Sequence, residues 1–203
     1  TSSVENVAYA SRQVLNHEAK IRIAREVVSQ IPDNASLFIN IGTTTEEVAK
    51  ALAERKNLRI ITNNLNVAAH LCTNESFEVI VAGGVVRHDR GVIGESTIDF
   101  IRQFKVDYGI IGISGIDADG TLLDYDYREV QVAQAIIKNS RQVFLVTDHS
   151  KFSIAPMVKL GTLADIDALF IDALPPPAIL KLLATHQTRL FVADEGSLSH
   201  SSG

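Results

Sequence analysis

Apolar residues recur at spacing four through Ala19, Ile23, Val27 and Ile31, with Asn16 placed to cap the run, so the pattern predicts an amphipathic helix over 17–30. Pro32-Asp33-Asn34 ends it. Leu37-Phe38-Ile39-Asn40-Ile41 is too continuously apolar for a strand with one wet face and predicts one covered on both sides, as in a parallel sheet. Gly42-Thr43-Thr44-Thr45 then turns the chain into a helix with Val48, Ala49, Leu52 and Ala53 inward. The alternation continues with a strand over 58–62, a helix over 64–71, a strand over 77–82, a turn at Gly83-Gly84, a helix over 92–103 and a central strand over 106–113. Residues 115–123 predict an excursion turning at Asp117-Ala118-Asp119-Gly120. A helix over 126–138, strands over 142–147 and 168–171, and a helix over 178–183 behind Pro175-Pro176-Pro177 lead to Arg189-Leu190-Phe191-Val192. Short β and α elements in alternation predict an α/β fold: an open, mostly parallel, doubly wound sheet with a small additional lobe.

Composition narrows the class. With 203 residues, 46% of them hydrophobic, the chain can bury a full core. Its net charge of -5 and lack of a dense Lys/Arg run exclude DNA binding by this segment alone. The single cysteine, Cys72, rules out an internal disulfide or a cysteine-based zinc cluster and reads as an inert, buried small hydrophobe near a helix end. No apolar stretch approaches a membrane span of roughly 18 residues and no signal peptide is visible, so a cytoplasmic protein with no membrane contact is expected. Residues 1–16 read as a linker remnant, 17–194 as the globular unit and the Ser-, Gly- and His-rich 195–203 as a flexible tail. A first residue of Thr1 rather than methionine points to a piece of a longer protein whose front carries another domain.

Ligands of open α/β sheets bind just beyond the carboxyl ends of the strands. The residues there are Gly42, Thr43 and Thr44; Thr62, Asn63 and Asn64; Gly83 and Gly84; Gly112 and Ser114; and Asp148 to Lys151, small or polar and suited to an oxygen-rich ligand. The glycine, the helix-start N–H groups and the threonine hydroxyls of the first loop can surround a phosphate. A capping box, Thr43 with Glu46 or Thr44 with Glu47, fits the same residues without a ligand. Lys151 is a candidate to neutralise the phosphate beside Asp148, or an ordinary surface lysine. Asn63 and Asn64 read as hydroxyl contacts or as a helix cap; Arg87, His88 and Arg90 add positive charge near Gly83-Gly84, with Arg87 a candidate effector contact and two of the three expected as solvated loop residues. Asp117, Asp119, Asp124 and Asp126 lack calcium-loop spacing and the six histidines are scattered, so neither metal nor cofactor is expected.

These loops together resemble the C-terminal sensor domain of the DeoR family from about Asn16 to Val192. The similarity is carried by Asn40-Ile41-Gly42-Thr43-Thr44, Ile61-Thr62-Asn63-Asn64, Ala82-Gly83-Gly84 with Arg87, Gly94-Glu95, Gly112 to Asp117 with Gly120, Glu129, and Asp148-His149-Ser150-Lys151, in the family's order. Ile41, Asn63-Asn64-Leu65-Asn66-Val67 and Leu122 to Tyr127 further resemble members that govern glycerol metabolism. The resemblance implies a ribose-5-phosphate isomerase-like fold, a phosphorylated small-molecule effector such as glycerol 3-phosphate, and a homo-oligomer, dimer or tetramer. It also implies an N-terminal winged helix-turn-helix that alone contacts operator DNA. The family often carries aspartate where this chain has Asn40, which bears on the sugar end of the site. The rival reading is a sugar-phosphate isomerase or deaminase on the same fold, with Glu129 or Asp148 as base. Against it, Gly112-Ile113-Ser114-Gly115-Ile116-Asp117 lacks the paired carboxylates that the related isomerases carry after the central strand.

Overall fold

The structure, a computed structural model, describes residues 16–195. The expected linker and tail therefore fall, apart from Asn16 and Glu195, outside the described residues. In chain order the elements are α1 (His17–Ser29), β1 (Ser36–Ile39), α2 (Thr43–Ala51), β2 (Arg59–Thr62), α3 (Leu65–Leu71), β3 (Glu78–Val81), β4 (Val85–Val86), β5 (Val92–Ile93) and α4 (Glu95–Ile101). There follow β6 (Val106–Gly112), β7 (Gly115–Ile116), β8 (Thr121–Asp124), α5 (Tyr127–Lys138), β9 (Ser140–Val146), β10 (Val158–Thr162), β11 (Ala168–Ile171), α6 (Pro177–Thr185) and β12 (Arg189–Val192).

Seven strands form one sheet in the order β12-β11-β9-β6-β1-β2-β3, every adjacent pair parallel. The chain winds outward from β1 to β3, returns to the other side of β1 as β6, and winds outward again to β12. The reversal lies between β1 and β6, where an open α/β sheet leaves a crevice.

Alternation along the strands fills both faces. Leu37 and Ile39 pack with α1, α2 and α3, while Phe38 between them packs with α4, α5 and α6. On the α1 side Tyr108, Phe144, Phe170 and Phe191 step across neighbouring strands with ring centroids 4.6–5.1 Å apart. Phe144 and Phe170 are fully buried, each worth roughly 1.5–3 kcal/mol over an exposed ring, while Tyr108 and Phe191 are partly buried. The small lobe is a three-stranded antiparallel sheet, β10-β8-β7, and a separate β4-β5 ribbon stands beside it. Gly115 lets the lobe close, since a Cβ there would collide with the carbonyl of Ile154.

Several expectations need correction. Asn16 does not cap α1 with its side chain; it adopts a left-handed conformation, φ 58°, and its amide reaches Asp148 Oδ1 at 3.5 Å. The helix expected over 92–103 begins only at Glu95, because Val92 and Ile93 pair with Val86 and Val85 and Gly94 turns the chain at φ 118°. Ala53 faces solvent, since the chain tightens into a 3₁₀ turn at Leu52–Glu54. Cys72 is exposed: it follows the last turn of α3, past the buried face of Val67 and Leu71. Strand β10 was not expected at all. Among the described residues no helix is long and apolar enough to cross a membrane.

Candidate functional site

At the β1/β6 reversal lies a cavity of about 750 Å³. Its walls are Ile41 to Thr44 with Glu46 after β1, Gly112 to Ser114 after β6, Val85 to Asp89 on the ribbon, Asp124 to Asp126 with Arg128 and Glu129 at the start of α5, and Lys151.

The start of α2 is open. Gly42, at φ 151°, is its N-cap and supplies no side-chain bond, and neither capping box forms. Thr45 Oγ1 instead donates to the carbonyls of Asn40 and Gly42, and Thr43 Oγ1 accepts from the buried Lys20 ammonium at 2.9 Å. The N–H groups of Thr43, Thr44 and Thr45, the first in the helix, have no intrahelical partner, which makes them donors for an anion. Of the two first-turn carboxylates, Glu47 turns away to Lys50 and His17, while Glu46 stays in the cavity wall.

Lys151 lies on the 3₁₀ turn His149–Ser153, half-buried and facing the cavity. It holds no side-chain hydrogen bond or ion pair among the described residues. Its neighbour Asp148 is buried and does not line the cavity, because it caps this turn through Ser150 N at 2.9 Å and the Ser150 hydroxyl.

Arg87 forms the hub of the opposite chemistry. Its Nη1 donates to Asp126 Oδ2 at 2.9 Å and Glu129 Oε2 at 2.8 Å, while Nε and Nη2 grip Asp89. The latch ties the ribbon to the start of α5. Against the cost of burial, the Asp89 hydrogen bond and the Glu129 and Asp89 charges raise the Arg87 pKa, so it stays charged. Burial, reinforced by Asp124, outweighs Arg87 at Glu129 and pushes that carboxyl up to about 8; Arg87 is shared among too many carboxylates to hold it ionised. Asp124 is also raised by burial, against hydrogen bonds from Tyr125 N and Ser114 Oγ, both 2.8 Å. Neither carboxylate suggested as a base is idle: Asp148 caps a turn and Glu129 holds Arg87.

The structure thus brings Gly42, Thr43, Thr44, Arg87, Gly112, Ser114, Glu129 and Lys151 together around one cavity. The others lie outside its lining. Thr62 Oγ1 donates to Ile39 O at 2.7 Å, Asn63 Nδ2 to Val92 O at 3.0 Å, and Asn64 Oδ1 caps α3 through Asn66 N and Val67 N. Gly83 receives the Thr97 hydroxyl at 2.7 Å, and a Cβ on Gly84 would collide with that hydroxyl. Asn40 bridges both backbone groups of Gly112, accepting at 2.8 Å and donating at 3.3 Å. An aspartate there could not donate. The sequence reading missed Asp89 and Lys20 and gave Asp124 and Asp126 no role in the site; 39 and 42 residues separate Arg87 from Asp126 and Glu129, so no local signal joins them.

Comparison with known proteins agrees with this architecture. Residues 15–173 match the family model described as the DeoR C terminal sensor domain. The chain is 52% identical over 190 residues to the glycerol-3-phosphate regulon repressor of Escherichia coli, covering 93% of this chain and 75% of the relative. It is 52% identical to that of Haemophilus influenzae, covering 95% and 75%, and 41% identical to the HTH-type transcriptional repressor CsqR of E. coli, covering 96% and 75%. The fold is similar to ribose 5-phosphate isomerase A of Methanocaldococcus jannaschii (TM-score 0.50, 14% identity, 68% of this chain and 55% of that one). It is also similar to eIF2B delta of Chaetomium thermophilum (TM-score 0.58, 15% identity, 76% and 55%), and both likenesses concern the fold alone. An isomerase-like sheet is here the frame of a repressor's sensor rather than of an enzyme: the chain belongs to the DeoR family and carries its C-terminal sensor domain.

Proposed function

We propose that the cavity binds a phosphorylated polyol, with glycerol 3-phosphate as the effector, and that occupancy modulates operator binding by a helix-turn-helix unit of the same repressor. The observation that carries this reading is the uncapped start of α2 beside Lys151, the lining cation without a side-chain partner among the described residues. The phosphate accepts from the N–H groups of Thr43 to Thr45 and from the Lys151 ammonium. Hydroxyls of the polyol meet Ser114 and Asp124 rather than Asn64 and Asp148, which cap helical turns, or Asn63, which lies outside the lining with its amide nitrogen on Val92 O. The cavity volume falls within the range of small-molecule sites, roughly 300–1,000 Å³. The name of the E. coli and H. influenzae relatives supports the choice of polyol.

The domain works as a homo-oligomer, and the effector acts by its differential affinity for two subunit arrangements. Val85, Val86, Tyr125 and Tyr127, 57–64% exposed at or beside the cavity, supply the apolar surface such packing needs. A thermal-shift panel tests the reading. Glycerol 3-phosphate at about 100 times its Kd should stabilise the chain by roughly 2.7 kcal/mol, several degrees in Tm, and glycerol should not. A sugar phosphate active in its place would replace the named effector, and no response to any phosphate ester would remove the site.

A further inference from the structure

Lys20 is 3% exposed on α1, among buried neighbours that are otherwise apolar: Ala19, Ile23, Ala24, Val27 and Val28. Its Nζ donates to Thr43 Oγ1 at 2.9 Å, 23 residues away at the first position of α2. Lys20 has further interactions as well, yet this bond alone fixes how the Thr43 hydroxyl is used. An ammonium can only donate, so the hydroxyl accepts from it and keeps its own proton for another acceptor. No acceptor for that proton stands among the described residues, and Thr43 lines the cavity.

We propose that Lys20 is a positioning residue for the anion in the β1/β6 cavity: its ammonium makes the Thr43 hydroxyl a donor to the ligand, beside the N–H groups at the start of α2. The proposal rests on the phosphate-binding reading above and adds to it a residue outside the cavity lining.

Three features support it. Holding a threonine of this loop in place takes no cation, since Thr45 Oγ1, two residues on, donates to the carbonyls of Asn40 and Gly42. A cation within hydrogen-bond reach of the first residue of α2 stands at the positive end of the helix dipole, so its charge and the helix end both favour an anion there. Asn16, one turn before Lys20, reaches Asp148 Oδ1 at 3.5 Å in the turn that carries Lys151, so the start of α1 touches both elements that face the phosphate. Once the phosphate accepts from Thr43, the hydroxyl oxygen becomes a better acceptor for Lys20, and ammonium, hydroxyl and phosphate tighten as one chain.

Calorimetric titrations with glycerol 3-phosphate and with inorganic phosphate test this role through a double-substitution cycle, folding checked by circular dichroism. Thr43→Val keeps the shape and removes the hydroxyl, while Lys20→Met removes the ammonium; each is expected to weaken glycerol 3-phosphate about tenfold. Added to Thr43→Val, Lys20→Met should weaken binding by less than about a further threefold, because the hydroxyl through which it acts is already gone. Fully additive losses would overturn the positioning role, as would unchanged affinity in either folded single variant. A second readout needs no substitution: in the unaltered chain the ¹⁵Nζ resonance of Lys20 should shift on saturation with inorganic phosphate. An unmoved Nζ resonance beside a shifted Thr43 amide would overturn the proposal while leaving the phosphate site standing. Should neither glycerol 3-phosphate nor inorganic phosphate bind, the site reading falls and the proposal with it.

Discussion

The loops after β1 and β6 and the loops after β2 and β3 are built from the same small polar residues, yet they end in different situations. After β2, Thr62, Asn63 and Asn64 are each about 1% exposed; Thr62 Oγ1, Asn63 Nδ2 and Asn64 Oδ1 bond backbone groups of Ile39, Val92 and α3, and Asn63 Oδ1 is buried without a partner among the described residues. After β1, Gly42 has no side chain to close the start of α2, and its neighbours face a cavity. The difference comes from topology. The β1 and β6 loops diverge at the reversal of winding, and among the described residues a cavity is left between them, whereas the β2 loop is sealed by the returning 91–93 segment through Val92 N to Asn63 O at 2.7 Å. Polar residues at strand ends are therefore a list of possible contacts, and winding order decides which of them remain open to a ligand.

Substitutions can break this contrast, and the largest effect is expected at the hub that holds the ribbon to α5. Arg87→Ala strands Asp89, Asp126 and Glu129; breaking a fully buried pair costs roughly 3–5 kcal/mol, and partial exposure reduces this to about 2–3 kcal/mol. Chemical denaturation should show that loss, and a change below about 0.5 kcal/mol would mean that the latch is not formed. Next come two substitutions of opposite character. Asn64→Ala removes the α3 cap and should cost about 1–2 kcal/mol of stability. Lys151→Ala should leave Tm within about 2 °C yet weaken glycerol 3-phosphate by about tenfold or more. Exchange of these two phenotypes would invert the assignment of structural and ligand-facing loops.

A further effect is in pH dependence. Glu129 has a folded pKa of about 8, above the ordinary 4.5, so its contribution is fully present below about pH 4.5 and is lost as pH rises through 8. Thermal melts from pH 5 to 9 should therefore fall less steeply in Glu129→Gln than in the unaltered chain, because glutamine has no proton to lose. Parallel curves would place Glu129 at an ordinary pKa.

Much of the fold was legible because the apolar periods are long. The four-residue spacing of Ala19, Ile23 and Val27 marks α1, and the unbroken run from Leu37 to Ile39 marks a strand covered on both faces. Strand β10 carried no such mark: of Val158 to Thr162 only Leu160 is buried, on a ribbon that pairs antiparallel to β8. The glycine-threonine loop was legible as a helix start facing a strand end, but not whether a side chain would close it. Lys20 went unnoticed because it lies beside the apolar stripe of α1, and only the packing of α1 on α2 carries its ammonium to Thr43. The Arg87 hub is a tertiary fact assembled from residues dozens of positions apart, and no periodicity encodes it.

The most direct measurement of the central claim is a two-dimensional ¹H–¹⁵N NMR titration of the chain with glycerol 3-phosphate. The account predicts the largest shifts at the amides of Thr43, Thr44 and Thr45, with smaller ones at Ser114 and Lys151 and little change at Asn63, Asn64 and Gly83. Shifts centred on Asn63, Asn64 and Gly83, with the start of α2 unmoved, would contradict it.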